Sequence, residues 1–187
     1  MTHIEKACEL IVPPETYPHI LEFGVWRGLT ISLIERKIRG KPYSIYGFDS
    51  FKGLPEDWVN SQTNEMAMPK GFFDNKGETP NIKNVTLIKG WFDDTVPMFL
   101  SQAKDIALLH VDCDLYSSTK TVLYNLNNYI KKDTIIVFDE WIYCHRSDYN
   151  DHEQKCFYEW VRDFNRKYEL INHHGPSDEQ QIVKILE

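Results

Sequence analysis

Five short apolar runs punctuate the chain, at residues 19–25, 44–49, 85–90, 106–112 and 134–139. Each is rich in Val, Ile, Leu and Phe without strict alternation, the pattern of strands buried on both faces of a sheet. Between them, residues 29–39 and 117–131 place apolar side chains at helical spacing. Residues 94–102 read as a shorter helix in which Pro97 is tolerable only in the first turn. The helix over 117–131 opens on Ser and Thr residues suited to capping. It closes on Lys131-Lys132, favourable at the negative end of a helix dipole.

A polar segment, 143–154, then leads into a helix running to about residue 167. Two final runs, 168–174 and 180–186, flank Gly175-Pro176-Ser177-Asp178, a turn signal that predicts an antiparallel hairpin. Residues 2–11 make one short helix stopped by Pro13-Pro14. Residues 51–83, with Gly53, Pro55, Pro69 and Gly71 among several aromatics, break the rhythm and suit a lid or substrate loop. The fold class is therefore α/β: a seven-stranded Rossmann-like sheet, mostly parallel with a C-terminal antiparallel hairpin, helices on both faces, in one domain over residues 1–187. Methyltransferase sheets end in such a hairpin, whereas a dinucleotide-binding dehydrogenase ends in a sixth parallel strand.

Composition narrows the class. An apolar fraction of 42% and an aromatic fraction of 13% belong to a globular chain and exclude global disorder. The net charge of −7 argues against nucleic acid or an anionic membrane as partner. No apolar run reaches the roughly 18 residues of a membrane span, and residues 1–9 do not read as a secretion signal. Cys8, Cys113, Cys144 and Cys156 form no C-x-x-C pair, which points to a reduced, cytoplasmic protein.

Candidate chemistry gathers at strand exits, where open α/β sheets bind ligands. The first strand runs into Glu22-Phe23-Gly24-Val25-Trp26-Arg27-Gly28, where glycines allow close backbone approach and the next helix offers free N–H groups. The second ends in Asp49, 25 residues after Gly24 and placed to accept hydrogen bonds from both hydroxyls of a ribose. The third ends in Gly90-Trp91-Phe92-Asp93, where an aromatic could clamp adenine. Asp112, Cys113 and Asp114 follow the fourth strand, and Asp139 and Glu140 the fifth, so neighbouring strands bring four carboxylates to one edge. Such acids raise one another's pKa unless a counter-charge is present, and hard oxygen donors suit Mg²⁺. A cation would lower the pKa of a hydroxyl nucleophile while a nearby carboxylate takes its proton.

Residues 21–30, 46–56 (YGFDSFKGLPE), 89–97 (KGWFDDTVP), 110–119 (HVDCDLYSST) and 135–141 (IIVFDEW) resemble, in order, the macrocin O-methyltransferase family. The resemblance implies S-adenosylmethionine as cofactor, a divalent cation, and methylation of a sugar hydroxyl on a small molecule. It implies Asp112, Asp139 and Glu140 at the metal-ligand positions, with Asp114 as candidate general base. The family often carries two aspartates where this chain has Asp139-Glu140. The candidate cofactor set is Glu22, Phe23, Gly24, Gly28, Thr30, Asp49, Ser50, Trp91, Phe92 and Asp112. Family members usually have a longer N-terminal region, so the cofactor here is either more exposed or covered by a second copy of the chain in a homo-oligomer.

Three other readings compete. A catechol acceptor would suit the aromatic loop at 51–73. A nicotinamide-dependent oxidoreductase is opposed by the glycine spacing, and a non-catalytic S-adenosylmethionine-binding protein by the retention of all four acids. Cys144, His145, His152 and Cys156 include zinc-ligand types, but at C-H-x6-H-x3-C spacing that matches no common finger or ribbon. The preferred reading there is a polar loop entering a helix; the alternative is that His145 or His152 touches the substrate.

Overall fold

Strand β1 (His19–Phe23) is buried at every position, as are β6 (Ile106–Val111) and β7 (Ile135–Phe138). Strands with no wet face need neighbours on both sides and a helical layer above and below, and this requirement organises the molecule. The computed structural model describes residues 1–59, 65–142, 151–177 and 179–187. Around these three strands lie β2 (Ser44–Asp49), β5 (Val85–Lys89), β8 (Tyr168–Ile171) and β9 (Gln181–Ile185), in the sheet order β5-β2-β1-β6-β7-β9-β8. The first five run parallel; β9 is antiparallel to β7, and β8 to β9.

Helices α1 (His3–Leu10) and α2 (Leu29–Ile38) cover one face, setting Ile4, Ala7, Ile31 and Ile34 against Ile20, Leu108, Ile135 and Val137. Helices α3 (Phe92–Phe99), α4 (Tyr116–Leu126) and α5 (Glu153–Asp163) cover the other, where Phe99, Leu123, Phe157 and Trp160 meet Phe23, Leu109 and Phe138. The chain leaves β1 toward β2 and β5, then returns to place β6 on the opposite side of β1. That reversal opens a crevice at the carboxyl ends of β1 and β6, the topological switch point where α/β sheets bind ligands. Among the described residues no helix is long and apolar enough to cross a membrane.

Three local expectations change. Helix α3 begins at Phe92 rather than 94, so Pro97 falls in its second turn. Burial of Val96 and Phe99 against the sheet outweighs the lost backbone hydrogen bond. Helix α4 is not capped by its own Ser or Thr side chains, and it ends before Lys131 and Lys132. Its first N–H, from Tyr116, is instead accepted by His152 Nδ1 at 3.1 Å. Within the long 51–83 loop a hairpin forms between β3 (Trp58–Val59) and β4 (Met66–Met68), too short to leave a periodic signal.

One surface-side cluster gives a prediction. Glu35 of α2 receives Arg39 Nε and Nη2 at 3.1 and 2.6 Å and Asn84 Nδ2 at 2.9 Å. The Arg39 hydrogen bonds first, then Asn84, hold its carboxyl down from the usual 4.5 to about 2. A depressed folded-state value means stability that is complete above the unfolded value and lost as pH falls through the folded one. Urea titrations of the Glu35→Gln variant should therefore show a shallower loss of stability between pH 4.5 and 2 than the parent.

Candidate active site

A cavity of about 580 Å³ occupies the switch point. Its lining includes the 24–27 turn, Thr30, Asp49, Ser50, Trp91 and Phe92, together with Asp112, Asp114, Asp139 and Glu140. Glu56, Asp93, Ser117, Ser118 and Thr121 complete a polar wall, in which Ser117 Oγ donates to Glu56 Oε1 at 2.5 Å and Thr121 Oγ1 to Asp93 Oδ1 at 2.7 Å.

Gly24 makes the turn possible. Its φ is +94°, and a Cβ there would lie 1.5 Å from the Asp112 carbonyl oxygen. The exits of β1 and β6 thus touch backbone to backbone, and the turn and the first acid form one rigid corner. Asp49 Oδ2 accepts from the Val25 and Trp26 N–H groups at 2.8 and 2.7 Å, and Oδ1 from Phe51 N at 2.6 Å. The aspartate expected to receive two ribose hydroxyls is already committed to shaping this corner. Of the roughly four acceptor sites a carboxylate offers, one remains, on Oδ1.

Of the other members of the expected cofactor set, Phe23, Gly28 and Glu22 lie outside the cavity lining, while Ser50 lines it with its hydroxyl engaged in its own turn. Phe23 is fully buried and stacks on Phe48 at 4.4 Å. Gly28 packs against Ile82 and Pro80, and neither it nor Phe23 lines the cavity. Glu22 points beneath the floor, with Oε2 3.1 Å from His110 Nδ1. Ser50 Oγ accepts from Lys52 N and contacts the Gly53 carbonyl, so it closes its own turn.

The acids behave as a group. Burial first, then the charge of Asp139, pushes Asp112 well above the carboxylate range. Asp114 is raised to about 7 by burial and by the charges of Asp139 and Asp49. Burial followed by Asp114 and Glu153 raises Glu140. Burial also raises Asp139, but the His110 ring 3.6 Å away and a hydrogen bond from Gln180 reverse it, leaving Asp139 below the ordinary value. His110 itself, pushed down by burial, ends well above its usual value through Asp139 and Glu22. Positive charge is favoured at this edge, where Asp112, Asp114, Asp139 and Glu140 line one cavity. Donor atoms of His110, Asp112 and Asp139 lie within 4.8 Å of one another. Glu140, expected as the third ligand, lines the same cavity, while His110 stands in the third position of this cluster.

Sequence reading passed over His110, Glu153 and Gln180, and it placed His152 only near the substrate. For His110 a signal existed: Glu22 and His110 are polar residues within largely apolar runs, and buried polar groups need partners; the structure pairs them in register on neighbouring strands. Glu153, fully buried, accepts from Cys113 N at 3.3 Å and Glu140 N at 3.2 Å, tying both strand exits to α5. Burial, then Asp114 and Asp139, raises it to about 8. Glu153→Ala strands two buried N–H groups over a small void and should cost about 2–4 kcal/mol, read as a lowered urea midpoint. His152 Nε2 donates to the Val59 carbonyl at 2.9 Å, so this histidine fastens the β3 end of the loop to α4. Cys156 is buried with its thiol pushed up to about 12, unlike a zinc thiolate; Cys144 and His145 lie outside the described residues.

Sheet order, C-terminal hairpin and switch-point cavity define a Rossmann-like fold of the methyltransferase type. The family model described as Macrocin-O-methyltransferase (TylF) matches residues 1–155, and the chain belongs to that family. It is similar to demethyldecarbamoylnovobiocin O-methyltransferase of Streptomyces niveus, 24% identical over 160 residues, 77% of this chain and 60% of that protein. It is also similar to 8-demethyl-8-(2,3-dimethoxy-alpha-L-rhamnosyl)-tetracenomycin-C 4'-O-methyltransferase of Streptomyces olivaceus, at 23% identity over 75% of this chain and 59% of that protein. The chain thus spans about three fifths of the length of these curated relatives. Among solved structures, the calicheamicin methyltransferase CalS11 superposes with a TM-score of 0.73 at 22% identity, over 97% of this chain and 76% of its own. A second structure of CalS11 is described as a TDP-rhamnose 3'-O-methyltransferase. The O-methyltransferase NovP gives 0.69 at 21% identity, over 98% and 78%. These structural likenesses are of fold.

Proposed function

We propose that this chain transfers a methyl group from S-adenosylmethionine to a hydroxyl of a sugar or sugar-bearing small molecule, with a divalent cation at the acidic edge. The observation that carries the reading is the meeting, in one cavity, of a backbone-lined turn flanked by Trp91 and Phe92 with a cluster of buried and half-buried acids. The donor set fits a cation, because raised carboxyls packed around Asp139 are the signature of an unmet counter-charge. The cavity volume falls in the range of cofactor sites, and its backbone and aromatic wall fits a nucleoside sulfonium.

When bound, S-adenosylmethionine supplies an electrophilic methyl on sulfonium, and a cation supplies acidification of the acceptor hydroxyl. The chain's own residues do the rest. Trp91 and Phe92 offer faces for the adenine, while the Gly24–Asp112 corner keeps the turn at a fixed distance from the acids. Asp112 and Asp139 would hold the cation, with Glu140 at the same edge. Asp114 accepts the hydroxyl proton as the new bond forms. Loop residues shield the cavity: Asn75 Nδ2 donates to the Trp26 carbonyl at 2.9 Å, and Phe73 meets the Trp26 ring edge-on at 5.5 Å.

The polar wall favours a sugar over a catechol. Hydroxyls and carboxylates of Glu56, Asp93, Ser117, Ser118 and Thr121 offer paired donors and acceptors along the cavity, whereas Phe73 is the loop aromatic that lines it. The rhamnosyl and rhamnose acceptors named for the tetracenomycin enzyme and CalS11 support the same class. The test is transfer of labelled methyl to nucleotide sugars, free glycosides and catechols, with Mg²⁺ and after EDTA treatment. Label on a sugar hydroxyl, lost with EDTA and restored by cation, is the expected result. Acceptors confined to amines or carboxylates would remove the proposal.

A further inference from the structure

The buried pair beneath the cavity floor is not explained by methyl transfer as just described. Glu22 and His110 are partners in the β1–β6 register and are 1% and 0% exposed. His110 Nδ1 lies 3.1 Å from Glu22 Oε2. Its other nitrogen, Nε2, is buried and makes no hydrogen bond; it faces the acids, 3.6 Å from Asp139 Oδ1. Asp112 follows His110 by two residues, which in an extended chain puts both side chains on one face. The donor atoms of His110, Asp112 and Asp139 are mutually within 4.8 Å.

We infer that His110 is a nitrogen ligand to the divalent cation, oriented from behind by Glu22, and that the site therefore takes a cation of the manganese and cobalt class in preference to magnesium. This rests on the reading that a cation sits at this edge. A ring buried in a sheet interior is costly unless both nitrogens are engaged. One nitrogen on a carboxylate and the other directed at a cation is the arrangement that fixes the tautomer and aim of metal-bound histidines. Donors about 2.0–2.3 Å from an ion sit roughly 3–4.5 Å apart, so the observed cluster needs only a small contraction to close on one. A shell of two carboxylates and one imidazole suits ions that accept both oxygen and nitrogen, whereas magnesium favours oxygen alone.

The experiment uses the full chain loaded with Mn²⁺ or Mg²⁺ without acceptor. Pulsed electron paramagnetic resonance on the Mn²⁺ form should show coupling to one imidazole nitrogen, changed in character when histidine is supplied as ¹⁵N and absent in His110→Asn. Calorimetric titration should find Mn²⁺ bound at least about tenfold more tightly than Mg²⁺, a ratio that shrinks toward unity in His110→Asn. Glu22→Gln should keep the nitrogen signal while weakening Mn²⁺ by about ten- to a hundredfold. If His110→Asn does not fold, the ¹⁵N comparison on the unsubstituted chain decides alone. Mn²⁺ bound with no nitrogen coupling and unchanged in His110→Asn overturns the inference and leaves an all-oxygen cation site standing. Failure of the unsubstituted chain to bind either ion overturns both readings.

Discussion

The Asp114→Asn variant is expected to lose about 10²- to 10⁴-fold in kcat while unfolding near the parent's urea midpoint. Asp114 is 7% exposed and sits in the left-handed region at φ +62°. Asparagine is among the few residues that tolerate that backbone, so the substitution removes the proposed base without adding strain, which alanine would. Burial, then Asp139 and Asp49, holds the carboxyl up at about 7. A base works only when ionised, so the parent's rate should rise with pH through about 7 and level off above it. A bound cation favours the carboxylate and shifts that rise to lower pH as the cation is saturated. The variant should show a low, flat profile in the same range. A variant that keeps both the rate and the rising limb would assign proton transfer to another group.

The framework was legible because each central strand is an apolar run bounded by polar residues, and burial on both faces leaves such runs little choice of structure. The terminal hairpin followed from Gly175-Pro176 between two strand-like runs. Strand-end acids were legible for the same reason: once the strands are parallel, Asp49, Asp112, Asp114, Asp139 and Glu140 must share one edge of the sheet. What those acids do there was harder to read. Asp49 sits where a ribose ligand is expected, yet its oxygens hold Val25, Trp26 and Phe51, a choice made by the φ +94° turn at Gly24. Glu22 belongs to the glycine motif by position, but strand alternation turns its side chain under the floor toward His110. Glu153 reaches the site across 40 residues from the first turn of α5, a contact no local pattern encodes. Register between distant segments is a tertiary property, and these residues acquire their roles only through it.

Gly24→Ala should be the most damaging single methyl in the molecule, costing more than about 4 kcal/mol, a loss single substitutions seldom reach. Two effects combine, and the structure separates them. A side chain at φ +94° is strained in itself. In addition, the new Cβ would fall 1.5 Å from the Asp112 oxygen and 2.6 Å from its carbonyl carbon, both backbone atoms at the exit of the neighbouring strand. Relief requires β1 and β6 to move apart, which breaks the Asp112 N–H to Phe23 carbonyl hydrogen bond of 2.9 Å and carries Asp112 away from Asp139. Gly40→Ala supplies the control: its φ is +86°, and nothing lies within 4 Å of the added carbon. It should cost only the backbone strain, roughly 1–2 kcal/mol. Urea unfolding of both variants yields the difference directly, and that difference measures the contact between the turn and the acid. Equal losses in the two variants would mean that the strand exits yield easily. The turn would then not fix its own distance from the acidic edge, and the geometry that the proposed transfer requires would have to be set by the ligands themselves.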